Sequence, residues 1–89
     1  MTKRKILFSS EFEESFKKLD KSVQKIIRHW INNRLVNIED PRTFGKPLVG
    51  DLKNYWRYRI GDYRLIVKIE DNKLTILMID IGHRKNIYK

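Results

Sequence analysis

Trp56, Tyr58 and Ile60, then Tyr63, Leu65, Val67 and Ile69, recur at every second position, and only Gly61-Asp62 interrupts the alternation. A period of two places such residues on one face of extended chain. Gly-X is a favoured two-residue type II′ hairpin loop, so "WRYRIGDYRLIV" predicts a tight antiparallel hairpin with one apolar face. Its register follows: Ile60 pairs with Tyr63, Tyr58 with Leu65, and Arg59 falls opposite Arg64 on the other face, with Arg57 two residues along. That pattern excludes an all-helical fold.

The chain before it has a different period. "KILF" (Lys5 to Phe8) reads as a short strand, and "SEFE" from Ser10 reads as a capping box that opens a helix carrying Phe12, Phe16 and Leu19 on one side. Asp20 can cap a second helix, in which Val23, Ile26, Ile27, Trp30, Ile31 and Leu35 repeat at helical spacing. "NIEDPRTFGKPLVGD" holds both prolines and two of the four glycines and reads as a connecting loop, with room for one turn of helix. Beyond the hairpin, Asp71-Asn72 marks a second tight turn and "KLTILMIDI" a further strand. Pairing across that turn sets Arg64 opposite Ile79 and Tyr63 opposite Asp80. The expectation is an α+β domain: an N-terminal strand, a helical hairpin, then a three-stranded antiparallel meander whose one face the helices cover.

Eighty-nine residues suit a single domain over 1–89, since a chain this short buries only about 60–65% of its unfolded surface. There is no cysteine, no run near the length of a membrane span, and no sustained apolar N-terminal leader, so a soluble, cytoplasmic protein without membrane contact is expected. Twenty Lys and Arg against eleven Asp and Glu leave a net charge of +9. Solubility alone is served by a magnitude of about 2–8. The surplus attracts polyanions, with nucleic acid, the ribosome or an acidic protein as candidate partners.

The three hairpin arginines concentrate that charge. Like charges directly opposite on a sheet are destabilising, and Thr or Gln would serve the fold there. A bound anion removes the conflict, and arginine suits phosphate because its planar fork donates two parallel hydrogen bonds. A solvated polar face is the plainer alternative. In the expected register, His83, Arg84 and Tyr88 of the terminal "DIGHRKNIYK" reach the same cluster. That face also carries Ile66, Leu77, Ile79 and Ile81, so the C-terminal tail or a partner is expected to cover it. His29 is assigned to the surface or the core edge. Asp62 and Asp80 form the one plausible carboxylate pair, without the neighbouring His or Glu that a metal site needs, and no P-loop, nucleophile elbow or cysteine nucleophile is present. Neither a metal nor another cofactor is expected.

The helical hairpin, "DPRTFGKPLVGDLKNYWRYRIGDYRLIV" and "IDIGHRKNIYK" together resemble the RelE/ParE superfamily of bacterial and archaeal toxins, and within it the RelE-type messenger-RNA endoribonucleases. The resemblance implies the toxin of a type II toxin-antitoxin system that enters the ribosomal A site, cuts the bound mRNA without metal, and is held inactive by a RelB-like antitoxin. Arg57 and Arg59 then match basic catalytic positions often filled by Lys, Arg64 a phosphate-binding Arg, and Arg84 the Arg after the last strand. Tyr88 matches the C-terminal Tyr, and His83 a position where a basic residue is common.

Metal-free cleavage needs the 2′-hydroxyl to attack phosphorus in line, giving a 2′,3′-cyclic phosphate and a 5′-hydroxyl. The arginines can clamp the added negative charge. His83 has the side chain whose ordinary pKa of about 6.5 suits proton transfer, although it also reads as a plain surface residue. Arginine in place of lysine at 59 leaves the proton acceptor open, because a guanidinium keeps its proton throughout the physiological pH range. Two further readings stay open: a non-enzymatic ParE-like toxin that inhibits gyrase, and a decayed nucleic-acid-binding module.

Overall fold

The computed structural model describes residues 4–36, 40–43, 45–48 and 54–83. Strand β1 (Lys5–Phe8) leads into helices α1 (Ser10–Lys17) and α2 (Lys21–Arg34), and strands β2 (Gly45–Pro47), β3 (Tyr55–Ile60), β4 (Tyr63–Glu70) and β5 (Thr75–His83) follow. The sheet has five strands in the order β1-β5-β4-β3-β2, with β1 parallel to β5 and the other neighbours antiparallel. This is the expected α+β arrangement, with helices on one face, enlarged by one strand. No helix among the described residues is long and apolar enough to cross a membrane.

The hairpin has the predicted register: Ile60 opposite Tyr63, Tyr58 opposite Leu65, Arg59 opposite Arg64. Gly61 turns the chain with φ +59°, a left-handed conformation that glycine adopts without steric cost. The face at Tyr58, Ile60, Leu65, Val67 and Ile69 is buried against Phe12, Ile27, Ile31 and Leu35 of the helical segment, and Ile76, Met78 and Ile81 of β5 complete the core. Ile26, expected on the same helical stripe, is 60% exposed. It lies about 100° round the helix from Ile27, off the line that meets the sheet.

Three local expectations are corrected. The N-cap of α1 is Ser9, not Ser10: the Ser9 hydroxyl accepts from the Phe12 amide at 3.0 Å and donates to the Ile79 carbonyl at 2.8 Å, tying the helix start to β5. Asp20 stands at the N-cap of α2 without a side-chain capping bond. The hairpin between the helices is instead held by Gln24, whose amide donates to the Phe16 and Leu19 carbonyls, each at 3.0 Å. The supposed loop contains β2, pinned to β3 with Gly45 opposite Tyr58 and Pro47 opposite Trp56. As an edge strand, β2 tolerates a proline.

The β4–β5 register also differs. A 3₁₀ turn at Asp71–Lys73 and a left-handed Leu74 lengthen the connection, and a bulge interrupts the ladder between Ile66 and Val67. Arg64 therefore faces Gly82 rather than Ile79, and Tyr63 faces His83 rather than Asp80. Before the bulge the slip is even and Leu77, opposite Lys68, keeps its expected face; beyond it the net slip is odd, so the side chains there change face. Ile81 accordingly lies in the core at 2% exposure rather than on the polar face.

Two polar ties hold the periphery. The buried Tyr58 hydroxyl donates to the Pro41 carbonyl, and burial pushes its phenol pKa up. Asp71 accepts from Arg42 at 2.7 Å and from Arg4 at 3.2 Å; the Arg42 hydrogen bond chiefly holds the Asp71 carboxyl below its ordinary value.

Tyr58→Phe leaves the Pro41 carbonyl without that donor and should destabilise the fold by about 1–3 kcal/mol in urea unfolding; parental stability would show the tie to be dispensable. A carboxyl with a depressed folded pKa stabilises above its unfolded value of about 3.9 and loses that contribution as pH falls through the folded value. Asp71→Asn should therefore lower stability at pH 7, by up to about 1 kcal/mol for so exposed a group. The gap to the parent should close in acid, and a gap independent of pH would contradict the assignment.

Candidate active site on the open sheet face

Because Tyr58, Ile60 and Leu65 point into the core, Arg57, Arg59 and Arg64 must point away from it. Arg59 is exposed, while Arg57 and Arg64 are half-buried. Arg57 is opposite Ile66 and Arg59 opposite Arg64, so the three share the sheet face opposite the helices. Together with Lys46 and Tyr58 they line a concavity of about 130 Å³. Gly82 stands opposite Arg64 on this face.

Lys46 was not among the expected residues. It lies opposite Arg57 across the β2–β3 ladder, so both side chains emerge on the same face. Its signal in the sequence is faint: a residue before proline is driven toward extended backbone, which marks Lys46 as strand-like within an apparent loop.

His83 does not join the cluster through the ladder. It pairs with Tyr63 on the helix-side face, and the two rings meet edge-on with centroids 5.5 Å apart. Arg84 and Tyr88 lie outside the described residues. Asp80, half of the supposed carboxylate pair, accepts from the Ser15 hydroxyl at 2.6 Å and from the Ile81 amide at 2.8 Å. His29 is exposed on α2, within 2.6 Å of the Asn33 amide. Among the described residues no three His, Asp or Glu side chains converge on a metal-sized site.

A larger concavity, about 470 Å³, lies along α1 and α2 and is lined by Phe8, Phe12, Phe16 and Ile31, with Lys17 and Arg28 at its edge. Arg28 lies over the Phe16 ring at 5.5 Å. Its aromatic lining suits apolar contact, whereas the smaller concavity gathers cations. Charge rather than volume identifies the candidate site. What its guanidinium groups can do is bind a phosphate through paired hydrogen bonds and offset negative charge that develops on it.

The family model for the ParE toxin of type II toxin-antitoxin systems matches residues 6–88. The chain is 36% identical over 50 residues to toxin RelG of Mycobacterium tuberculosis, a match covering 56% of this chain and 58% of that one, so it spans little more than half of that relative's length. It is 34% identical to toxin RelE3 of Methanocaldococcus jannaschii over 94% of each chain. In fold it is similar to a chain in the crystal structure of the Mycobacterium tuberculosis toxin-antitoxin complex RelBE2, with TM-score 0.83, 24% identity and 97% of each chain covered. The chain belongs to the RelE/ParE superfamily of type II toxin-antitoxin toxins.

Proposed function

We propose that this toxin is a ribosome-dependent endoribonuclease that cuts mRNA in the A site, without a metal or other cofactor: the 2′-hydroxyl attacks the adjacent phosphorus as the P–O5′ bond breaks, leaving a 2′,3′-cyclic phosphate and a 5′-hydroxyl. The observation that carries the reading is the convergence of Arg57, Arg59 and Arg64 on one concave sheet face. Charge repulsion between Arg59 and Arg64 is relieved by an anion between them, and a pentacoordinate phosphorus carries more negative charge than the diester it forms from. A clamp of this kind therefore favours the transition state over the bound substrate. Arg64 holds a phosphate oxygen, and Arg57 and Arg59 flank it. Arg84 and Tyr88 are assigned to the same site on the family resemblance, Arg84 as a further clamp and Tyr88 either to stack on or orient a base or, if the surrounding cations lower its pKa, to act in proton transfer.

His83 enters as a candidate for proton transfer, with the register against it: β5 directs it toward Tyr63, away from the arginines. In the cell the toxin acts in the cytoplasm, on the ribosome, and is held inactive by a RelB-like antitoxin. The mycobacterial RelBE2 complex supports that partnership, and a net charge of +9 suits an acidic partner as well as RNA.

The matched family model carries the ParE name, which supports a second reading, a toxin that inhibits gyrase without nuclease activity. Purified protein added to translating ribosomes separates the two. Message cut in the A site, with 2′,3′-cyclic phosphate ends, supports the nuclease; intact message with inhibited supercoiling supports the gyrase reading.

Within the nuclease reading, Arg64→Ala should lower the rate of cutting about 10²–10³-fold, the scale of losing one transition-state donor. Unfolding should be nearly unchanged, because the side chain lies outside the core. Arg84→Ala should behave alike. His83→Gln should cost less than about tenfold and leave the pH–rate profile in place; a displaced profile would return His83 to the proton-transfer step.

A further inference from the structure

Every residue of β2 except one has its identity explained by the fold. Gly45 lies so close to β3 that a Cβ there would come within 2.9 Å of the Tyr58 ring and 3.0 Å of the Arg57 carbonyl oxygen. Pro47 stands opposite Trp56 on a strand that is at the sheet edge among the described residues, where a missing N–H costs no ladder bond. The Gly45 amide is held by the Arg42 carbonyl at 3.3 Å, and the Leu48 amide by the Tyr55 carbonyl at 3.0 Å, so the strand is fastened at both ends. Between them Lys46 is exposed, buries no apolar surface in the core, and makes no ion pair among the described residues. Its direct neighbour across the ladder is Arg57, a like charge, and it lines the same 130 Å³ concavity as the three arginines.

A lysine set against three arginines adds repulsion, and nothing in the core asks for it. Glycine, proline and two backbone bonds nevertheless hold it there. We propose that Lys46 is the fourth cation of this site among the described residues, a phosphate-holding residue that enters from the edge strand and contacts an RNA phosphodiester beside the one Arg64 grips. The inference rests on the nuclease reading for the identity of the anion. The geometry suits the role. The arginines come from the central hairpin, whereas Lys46 approaches from the sheet edge, so a strand of RNA lying across this face would meet them in succession. An ammonium on a flexible stem is a compact charge without a directional fork, suited to a neighbouring phosphate whose position varies more than that of the reacting one.

The test is equilibrium binding of a fluorescent, fully 2′-O-methylated RNA oligonucleotide, which offers phosphodiesters but no attacking hydroxyl, measured against salt concentration. A single phosphate contact on a single strand contributes about 0.7 to the slope of log K against log salt. Lys46→Met should lower the slope by about that amount and weaken binding several-fold at low salt, while Lys46→Arg should restore both. Lys73→Met, in the turn beyond β4, removes the same charge elsewhere and should leave the slope unchanged. A parental slope in Lys46→Met, an equal fall in Lys73→Met, or no binding by the parent protein would each overturn the proposal. Failure of the nuclease reading shows separately, as intact message in the ribosome assay, whatever the slopes are.

Discussion

The β3–β4 hairpin fixes both the core and the charged face, and the competition between them is settled by burial. Tyr58, Ile60, Leu65 and Val67 are each no more than 5% exposed, and full burial of a large apolar side chain stabilises by about 1.5–3 kcal/mol. Repulsion between opposed like charges on a sheet is smaller, about 0.2–1 kcal/mol per pair. A one-residue slip would relieve the Arg59–Arg64 opposition and turn the whole apolar set to water. The core therefore holds the arginines together against their own repulsion. Such a cluster is preorganised: the work of assembling its charges is done on folding, before any anion arrives.

Most of this was legible because the hairpin is governed by a local rule. Period-two alternation, a two-residue Gly-Asp loop and the pleat are enough to put Arg57, Arg59 and Arg64 on one face, and the observed register agrees residue for residue. The helices were legible through their apolar spacing, although the cap moved by one residue. Ser9 and Ser10 are chemically equivalent in sequence, and what favours Ser9 is nonlocal, a β5 carbonyl at Ile79 that its hydroxyl also reaches.

What escaped the sequence depended on such distant partners. Strand β2 is three residues long and carries a glycine and a proline, which locally spell a loop; only β3 alongside makes it a strand. Lys46 was lost with it. The β5 register was missed because nothing local distinguishes a two-residue turn at Asp71-Asn72 from the 3₁₀ turn that forms, nor announces a bulge. Burial announces it in retrospect. Met78 and Ile81 are three residues apart, a spacing that regular pleating sends to opposite faces, yet both lie in the core. An extra residue between them is the way one strand can bury both.

That bulge also decides what stands beside the cluster. Without it the strand would turn His83 toward the arginines and Gly82 inward; with it Gly82 faces Arg64 and His83 lies against Tyr63. Among the described residues, this face thus carries cations rather than a group whose ordinary pKa lies near neutrality. Arginine holds its proton throughout the physiological range. In the proposed nuclease, a site of that composition would lower the barrier by neutralising charge and fixing geometry, and electrostatic preorganisation of this kind is commonly the largest single contribution to catalysis. The proposed activity would then vary with salt, which screens a partly exposed cluster, more steeply than with pH between 6 and 8. The same core packing that sets the register sets this balance, because the buried pair of Met78 and Ile81 is what keeps the imidazole on the far side of the sheet.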